Sequence, residues 1–257
     1  MKRILSILVG IVICLQLYGQ TTLSSSAQTV CAGANVSVTA NNATPNVTYS
    51  WTAAGQASVS GALLTLNAVS QSITWTCTTY DASGIPIDSD AFNLTVNALP
   101  VISGNTNLCV GLTSQLTGSG IANANNPWVS SNTNVATVTA NGLVTGISGG
   151  NVNITYTNNN GCQENVLITV YSIPTISGNT SLCVGLTSQL TGSGTSNANN
   201  PWVSSNTNVA SVTANGLVTG ISGGNANITY TNNNGCQVNA LITVYSNPTI
   251  SQGSIPW

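Results

Sequence analysis

The chain has 257 residues, with two Lys or Arg, four Asp or Glu and no His, giving a formal net charge of −2. Both basic residues, Lys2 and Arg3, stand at the start, so everything after them lacks the cations that neutralise phosphates. That excludes nucleic-acid partners and attraction to anionic membrane surfaces. Proton transfer near neutral pH draws chiefly on His, Glu, Asp, Lys, Tyr and Cys. With His absent, Lys confined to residue 2 and no base beside the many Ser and Thr hydroxyls, the composition argues against an enzyme. No cofactor is called for.

Taken in chain order, Lys2 and Arg3 precede an uncharged apolar run from Ile4 to Leu17 that ends near Gly19 and Gln20, which reads as a secretory signal peptide over residues 1–20. The run is shorter than the roughly 20 residues a membrane-spanning helix needs, so no membrane insertion is expected after cleavage. Cys14 lies inside this run behind bulky Ile13, which does not suit a lipoprotein acceptor. Export places the six remaining cysteines in an oxidising compartment, and the expected address is the outer cell surface or the medium. Residues 21–98 then carry Cys31, Trp51 and Cys77.

From Val101 onward the chain copies itself with an offset of 74, Cys109 to Cys183, Trp128 to Trp202 and Cys162 to Cys236. Segments 101–173 and 175–247 differ at nine positions only, which implies duplication of one folding unit. One of the nine, Glu164/Val238, removes the unit's only charge, so both copies cannot depend on it. The expected units are 99–172 and 173–246. Residues 247–257 are a tail or the start of a further unit, because Asn247-Pro-Thr-Ile-Ser251 repeats Ile173-Pro-Thr-Ile-Ser177.

Inside the unit the apolar period is two. Strands are predicted over Thr113 to Thr117, Pro127 to Val129, Ala136 to Thr139, Leu143 to Ile147, Val152 to Tyr156 and Val166 to Val170. Asn141-Gly142 predicts a two-residue hairpin turn, and Asn158-Asn159-Asn160-Gly161 another turn. About seven short strands, a Trp on one of them and no helical pattern predict an all-β fold of tandem immunoglobulin-like β-sandwich modules.

The runs Trp128-Val-Ser-Ser-Asn-Thr-Asn-Val-Ala-Thr-Val138, Asn141-Gly-Leu-Val-Thr-Gly-Ile147 and Gly150-Asn-Val-Asn-Ile-Thr-Tyr156, repeated from Trp202 to Tyr230, resemble the bacterial immunoglobulin-like group 2 family of intimin- and invasin-type adhesins. The resemblance implies structural or adhesive spacer modules of an exported cell-surface or secreted protein. Residues 21–98 look like a more distant relative. There Cys31-Ala-Gly33 parallels Cys109-Val-Gly111 and Ile73-Thr-Trp75 parallels Ile154-Thr-Tyr156, but the Asn-Gly-Leu-Val-Thr-Gly run is missing.

A unit of about 74 residues has a narrow stability margin, so a covalent staple is expected. Six cysteines allow 15 connectivities. Equal spacing in the two copies favours pairing within units, as Cys31–Cys77, Cys109–Cys162 and Cys183–Cys236, each repeat bridge closing about 53 residues for roughly 4 kcal/mol. Short proline joints at Pro100, Pro174 and Pro248 predict a stiff succession of modules.

Partners are expected to be other protein modules or neutral surface glycans, held by short-range contacts because the surface lacks charge. The alternative function is a carbohydrate-binding module. Candidate contacts are the Asn-rich turns Asn158, Asn159, Asn160 and Asn232, Asn233, Asn234, although such turns are also ordinary turn chemistry. Trp51, Trp128 and Trp202 read better as core residues than as sugar platforms. Asp81, Asp88 and Asp90 cluster in sequence as calcium ligands do, yet read more simply as solvated acids, so no metal site is assigned.

Overall fold

The computed structural model describes residues 19–248. Nearly all of the expected signal peptide and most of the 247–257 tail therefore lie outside the described residues. Within them the chain is all strand and turn, and it divides into two compact units between Leu99 and Pro100.

The first unit holds β1 (Thr22–Leu23), β2 (Ala27–Cys31), β3 (Val36–Asn41), β4 (Thr48–Thr52), β5 (Val59–Ser60), β6 (Leu63–Leu66), β7 (Ile73–Tyr80) and β8 (Pro86–Asn97). They pair as a three-stranded sheet, β1-β3-β6, and a five-stranded sheet, β2-β8-β7-β4-β5. Period-two alternation drives the packing: on β3, Val36, Val38 and Ala40 are turned inward while Ser37 and Asn41 face water. These residues meet Trp51, Leu64, Trp75 and Phe92 in one buried core.

The second unit contains two near-identical sandwiches. The first has β9 (Ile102–Ser103), β10 (Asn107–Cys109), β11 (Thr113–Gln115), β12 (Thr117–Gly118), β13 (Trp128–Ser130), β14 (Ala136–Val138), β15 (Leu143–Gly146), β16 (Gly150–Thr157) and β17 (Gln163–Tyr171). The other has β18 (Ile176–Ser177), β19 (Ser181–Cys183), β20 (Thr187–Gln189), β21 (Thr191–Gly192), β22 (Trp202–Ser204), β23 (Ala210–Val212), β24 (Leu217–Gly220), β25 (Gly224–Thr231) and β26 (Gln237–Tyr245). In each, a four-stranded sheet, β10-β17-β16-β13 or β19-β26-β25-β22, stands with a three-stranded one, β11-β15-β14 or β20-β24-β23, and each has its own core. The expected tandem immunoglobulin-like β-sandwiches are the architecture observed.

At the centre of each repeat core is an aromatic pair across neighbouring strands. Trp128 stands directly opposite Tyr156, with ring centroids 4.6 Å apart, and Trp202 repeats this with Tyr230 at 4.7 Å. Such pairs add about 0.5–1.5 kcal/mol beyond the area they bury. The Tyr156 ring lies flush on Gly118, where any Cβ would collide with it. In the first unit, Trp51 on β4 stands opposite Cys77. The expected parallel between Trp75 and Tyr156 is therefore one pleat out of step: Trp75 faces Phe92 on β8, and Cys77 holds the tyrosine's place.

The Asn141-Gly142 turn also differs from the two-residue hairpin the dipeptide suggests. Val138 pairs with Val144, and the Thr139 N–H donates to the Leu143 carbonyl, so the loop has three residues with Gly142 at φ +83° in the left-handed region.

The nine differences between the copies include one in the core: Val152 and Ala226 are equally buried, opposite Ile168 and Ile242. Replacing Ala226→Val restores the methyl groups that the sister sandwich already accommodates. It should stabilise the chain by about 1–2 kcal/mol in urea unfolding, and no gain would mean that the two cores are packed differently.

Candidate functional site: cysteines at the ends of the sandwiches

The cysteines are placed by the longest hairpin of each repeat. β10 runs parallel to β17 and aligns Cys109 with Tyr171, the last residue of that strand. Cys162 immediately precedes Gln163, the first residue of the same strand, and closes the turn from β16. Nine residues of extended chain separate these positions, about 30 Å at 3.3 Å per residue. A disulfide requires Cα atoms within about 7 Å. The expected Cys109–Cys162 and Cys183–Cys236 bridges therefore do not form.

In immunoglobulin domains the bridging cysteines stand on the second and penultimate sandwich strands and face one another. In the structure Cys109 sits one strand earlier, at the sheet's edge, and Cys162 sits in the turn after the penultimate strand. Both are displaced outward to opposite ends of the sandwich.

The chain enters each repeat beside the turn that carries Cys162 or Cys236: Ser119 bonds back to Val101, and Ala122 bridges to Asn158. It leaves from the end of β17 or β26, beside Cys109 or Cys183. We call these the leading and trailing ends. Succession then brings the trailing end of one repeat to the leading end of the next, and Cys109 is joined to Cys236, with Cα atoms 5.6 Å apart and 127 residues between them in sequence. This bond crosses the joint that contains buried Pro174.

The first unit departs from expectation in the same way. Cys31 aligns with Asn97 and Cys77 with Asp90 on β8, seven residues or about 23 Å apart along that strand, so the expected Cys31–Cys77 bridge is absent. Cys31 and Cys162 are each disulfide-bonded, whereas Cys77 and Cys183 are free thiols. Burial, with the charge of Asp90 added, pushes the Cys77 thiol up from the ordinary 9.0 to about 11. It is an inert core residue.

The Asn-rich turns serve these cysteines. Asn158 and Asn232 are buried, and each side-chain Oδ1 accepts two backbone N–H groups: those of Asn160 and Cys162 in one copy, and of Asn234 and Cys236 in the other, all at 3.0 Å. Asn158 and Asn232 thus fix the turn that presents the cysteine and have no free acceptor face for a ligand. Asn159, Asn160, Asn233 and Asn234 are exposed beside them. Trp51, Trp128 and Trp202 are buried in the cores and offer no platform for a sugar ring.

The acids do not converge either. Asp81 caps its own turn through the Ser83 and Ile85 N–H groups, Asp88 accepts from the Thr21 N–H, and Asp90 binds the Ala91 N–H. Among the described residues no three His, Cys, Asp or Glu side chains gather. A cleft of about 440 Å³ in the first unit is lined by uncharged residues such as Val69, Gln71, Ile73, Trp75 and Leu94. No signal for the bond across the joint was missing from the sequence. Equal spacing in two copies fits pairing from one copy to the next as well as pairing within a copy, and a cysteine directly after an Asn-Asn-Asn-Gly turn belongs at a sandwich end.

In the chain-entropy model a bond closing 127 residues restrains the unfolded chain by about 5 kcal/mol. Cys109→Ser and Cys236→Ser should each cost a similar several kcal/mol in urea unfolding, and the double variant no more than either. Additive costs would mean that the two cysteines have different partners. Cys77 should react with iodoacetamide only on unfolding. Because its folded-state value lies above 9.0, the native state holds a proton that the unfolded state releases between pH 9 and about 11. Stability should therefore fall with rising pH across that window, by up to about tenfold in the folding constant per pH unit relative to Cys77→Val.

The bacterial Ig-like domain (group 2) profile matches residues 95–170 and 169–242. Solved structures with likeness to the chain include three N-terminal domains of the highly immunogenic outer capsid protein of bacteriophage RB49, at 12% identity over 90% of this chain and 100% of that one, with a TM-score of 0.35. A C-terminal fragment of intimin, in complex with the intimin-binding domain of its translocated receptor, gives 12% identity over 66% and 69%, with a TM-score of 0.39. The N-terminal eight Ig domains of the Down syndrome cell adhesion molecule give 16% over 88% of this chain, which spans only 40% of that one, with a TM-score of 0.28. No curated protein matches. The two family matches, which together span more than half of its residues and coincide with the two sandwiches bonded through Cys109 and Cys236, make this chain a member of the bacterial Ig-like domain (group 2) family.

Proposed function

We propose that the chain supplies non-catalytic structural or adhesive spacer modules of an exported bacterial cell-surface or secreted protein, carried there by residues 1–20 and divided as 21–98, 99–172 and 173–246. The observation that carries this reading is the Cys109–Cys236 bond, which spans the joint between the two sandwiches of the second unit instead of stapling either one. A bond so placed does nothing for the core of either sandwich and fixes one sandwich to its successor. That is what a spacer requires. The oxidised cysteines fit export, and the lack of His and of any Lys beyond residue 2 fits a protein without proton chemistry. Contacts with other protein modules suit an uncharged surface that holds partners at short range.

Antibody labelling of intact producing cells, or recovery from their medium, should find the protein with its N-terminus near residue 21 and the Cys109–Cys236 bond formed. Protein confined to the cytoplasm, with reduced cysteines, would overturn the proposal.

A further inference from the structure

The two repeats differ at nine positions in sequence, yet their trailing ends differ in surroundings. In the first repeat Cys109 is buried and bonded, Tyr171 is half-buried and Pro174 is buried. Their equivalents in the second repeat, Cys183, Tyr245 and Pro248, are all exposed, Tyr245 to 57%. None of these residues is changed between the copies, and neither is the backbone that holds them: Cys183 aligns with Tyr245 just as Cys109 aligns with Tyr171. What differs is the cover. The first trailing end carries the leading end of the next sandwich, with its turn cysteine, and the second trailing end carries none among the described residues.

We propose that the trailing end of the second repeat is a covalent docking face, and that its occupant is the leading end of another Ig-like module of this type, whose turn cysteine, in the place of Cys236, bonds to Cys183. The occupant is defined by the chemistry of the bond between Cys109 and Cys236. It has an Asn-x-x-Gly-Cys turn in which the Asn side chain holds the cysteine N–H, as Asn232 holds that of Cys236. The first unit cannot serve from another molecule, because its corresponding turn is Asp81-Ala-Ser-Gly84 and carries no cysteine. Docking of this kind therefore has a direction: the first unit's turn offers no cysteine, and Cys183 is a free, exposed thiol. In forming the bond, the two thiols lose two protons and two electrons together, and a disulfide oxidant such as glutathione disulfide takes them up to become two thiols.

The test duplicates residues 175–248 immediately after Pro248 in the full chain and refolds it in a glutathione redox buffer. Free thiols are alkylated, and disulfides are mapped by peptide mass spectrometry. Cys183 should be joined to the turn cysteine of the added copy, its alkylation falling at least about tenfold from that of the parent chain, while the added copy's own trailing cysteine becomes the reactive thiol. Cys183 that remains as reactive as before, or bonds within its own unit, would overturn the proposal. So would equal protection of Cys183 in an extended chain whose added turn cysteine is serine, since burial alone would then explain the loss of reactivity. If that extension impairs folding, inserting the copy ahead of Thr175 asks the same question. The inserted trailing cysteine should then bond to Cys236 and the inserted turn cysteine to Cys109, and pairing inside the inserted unit would sink the idea. These outcomes concern bond formation alone and leave the reading of the chain as a spacer to its own experiment.

Discussion

The length of one strand governs the covalent organisation of the repeats. β17 and β26 each run nine residues with no break in pairing to the strand before, so a cysteine at the start of the strand and another aligned with its end are held far beyond bonding distance. Neither can be satisfied inside its own sandwich. Because the chain enters at one end and leaves at the other, head-to-tail succession brings Cys109 to Cys236, and the bond that results belongs to the joint.

The fold was legible because the signals for it are local and repeated. Alternation over Val152, Ile154 and Tyr156 and the strand tryptophan each demand one arrangement, and each is met; the Asn-Gly pair marks the turn but not its length. What misled was inference by analogy from one strand to another. Equal spacing in the two copies favours pairing within a copy, yet Cys109 lies on β10, a strand of three residues that sets it at the opposite end of the sandwich from Cys162. A short strand running parallel to the last one leaves almost no periodic signature. The parallel between Trp75 and Tyr156 failed for a related reason. Register in a sheet is set by what stands across the strand, and the partner of Trp51 cannot be read from β7 alone. The asparagine turns were legible as turns, but which of the three side chains points inward depends on the carbonyl and N–H groups the turn must satisfy, and Asn158 does that work.

Cys77 shows how the two solutions part. In the repeats the place across from the strand tryptophan is filled by a tyrosine whose ring lies on glycine; in the first unit it is filled by a thiol among valines. Once the unit has folded, burial keeps this unionised thiol out of exchange with the other sulfurs, since the thiolate is the attacking species.

The placement of the Cys109–Cys236 bond also decides how the joint meets a pulling force. Tension along the chain would otherwise run through Ser172, Ile173 and Pro174, where a few unpaired residues can straighten. With the sulfurs linked, load passes instead from the turn before β26 into β10, and β10 hands it to β17 through a row of parallel hydrogen bonds strained side by side. Those bonds must fail together and not one after another, so the connection resists lengthening until a reductant opens it.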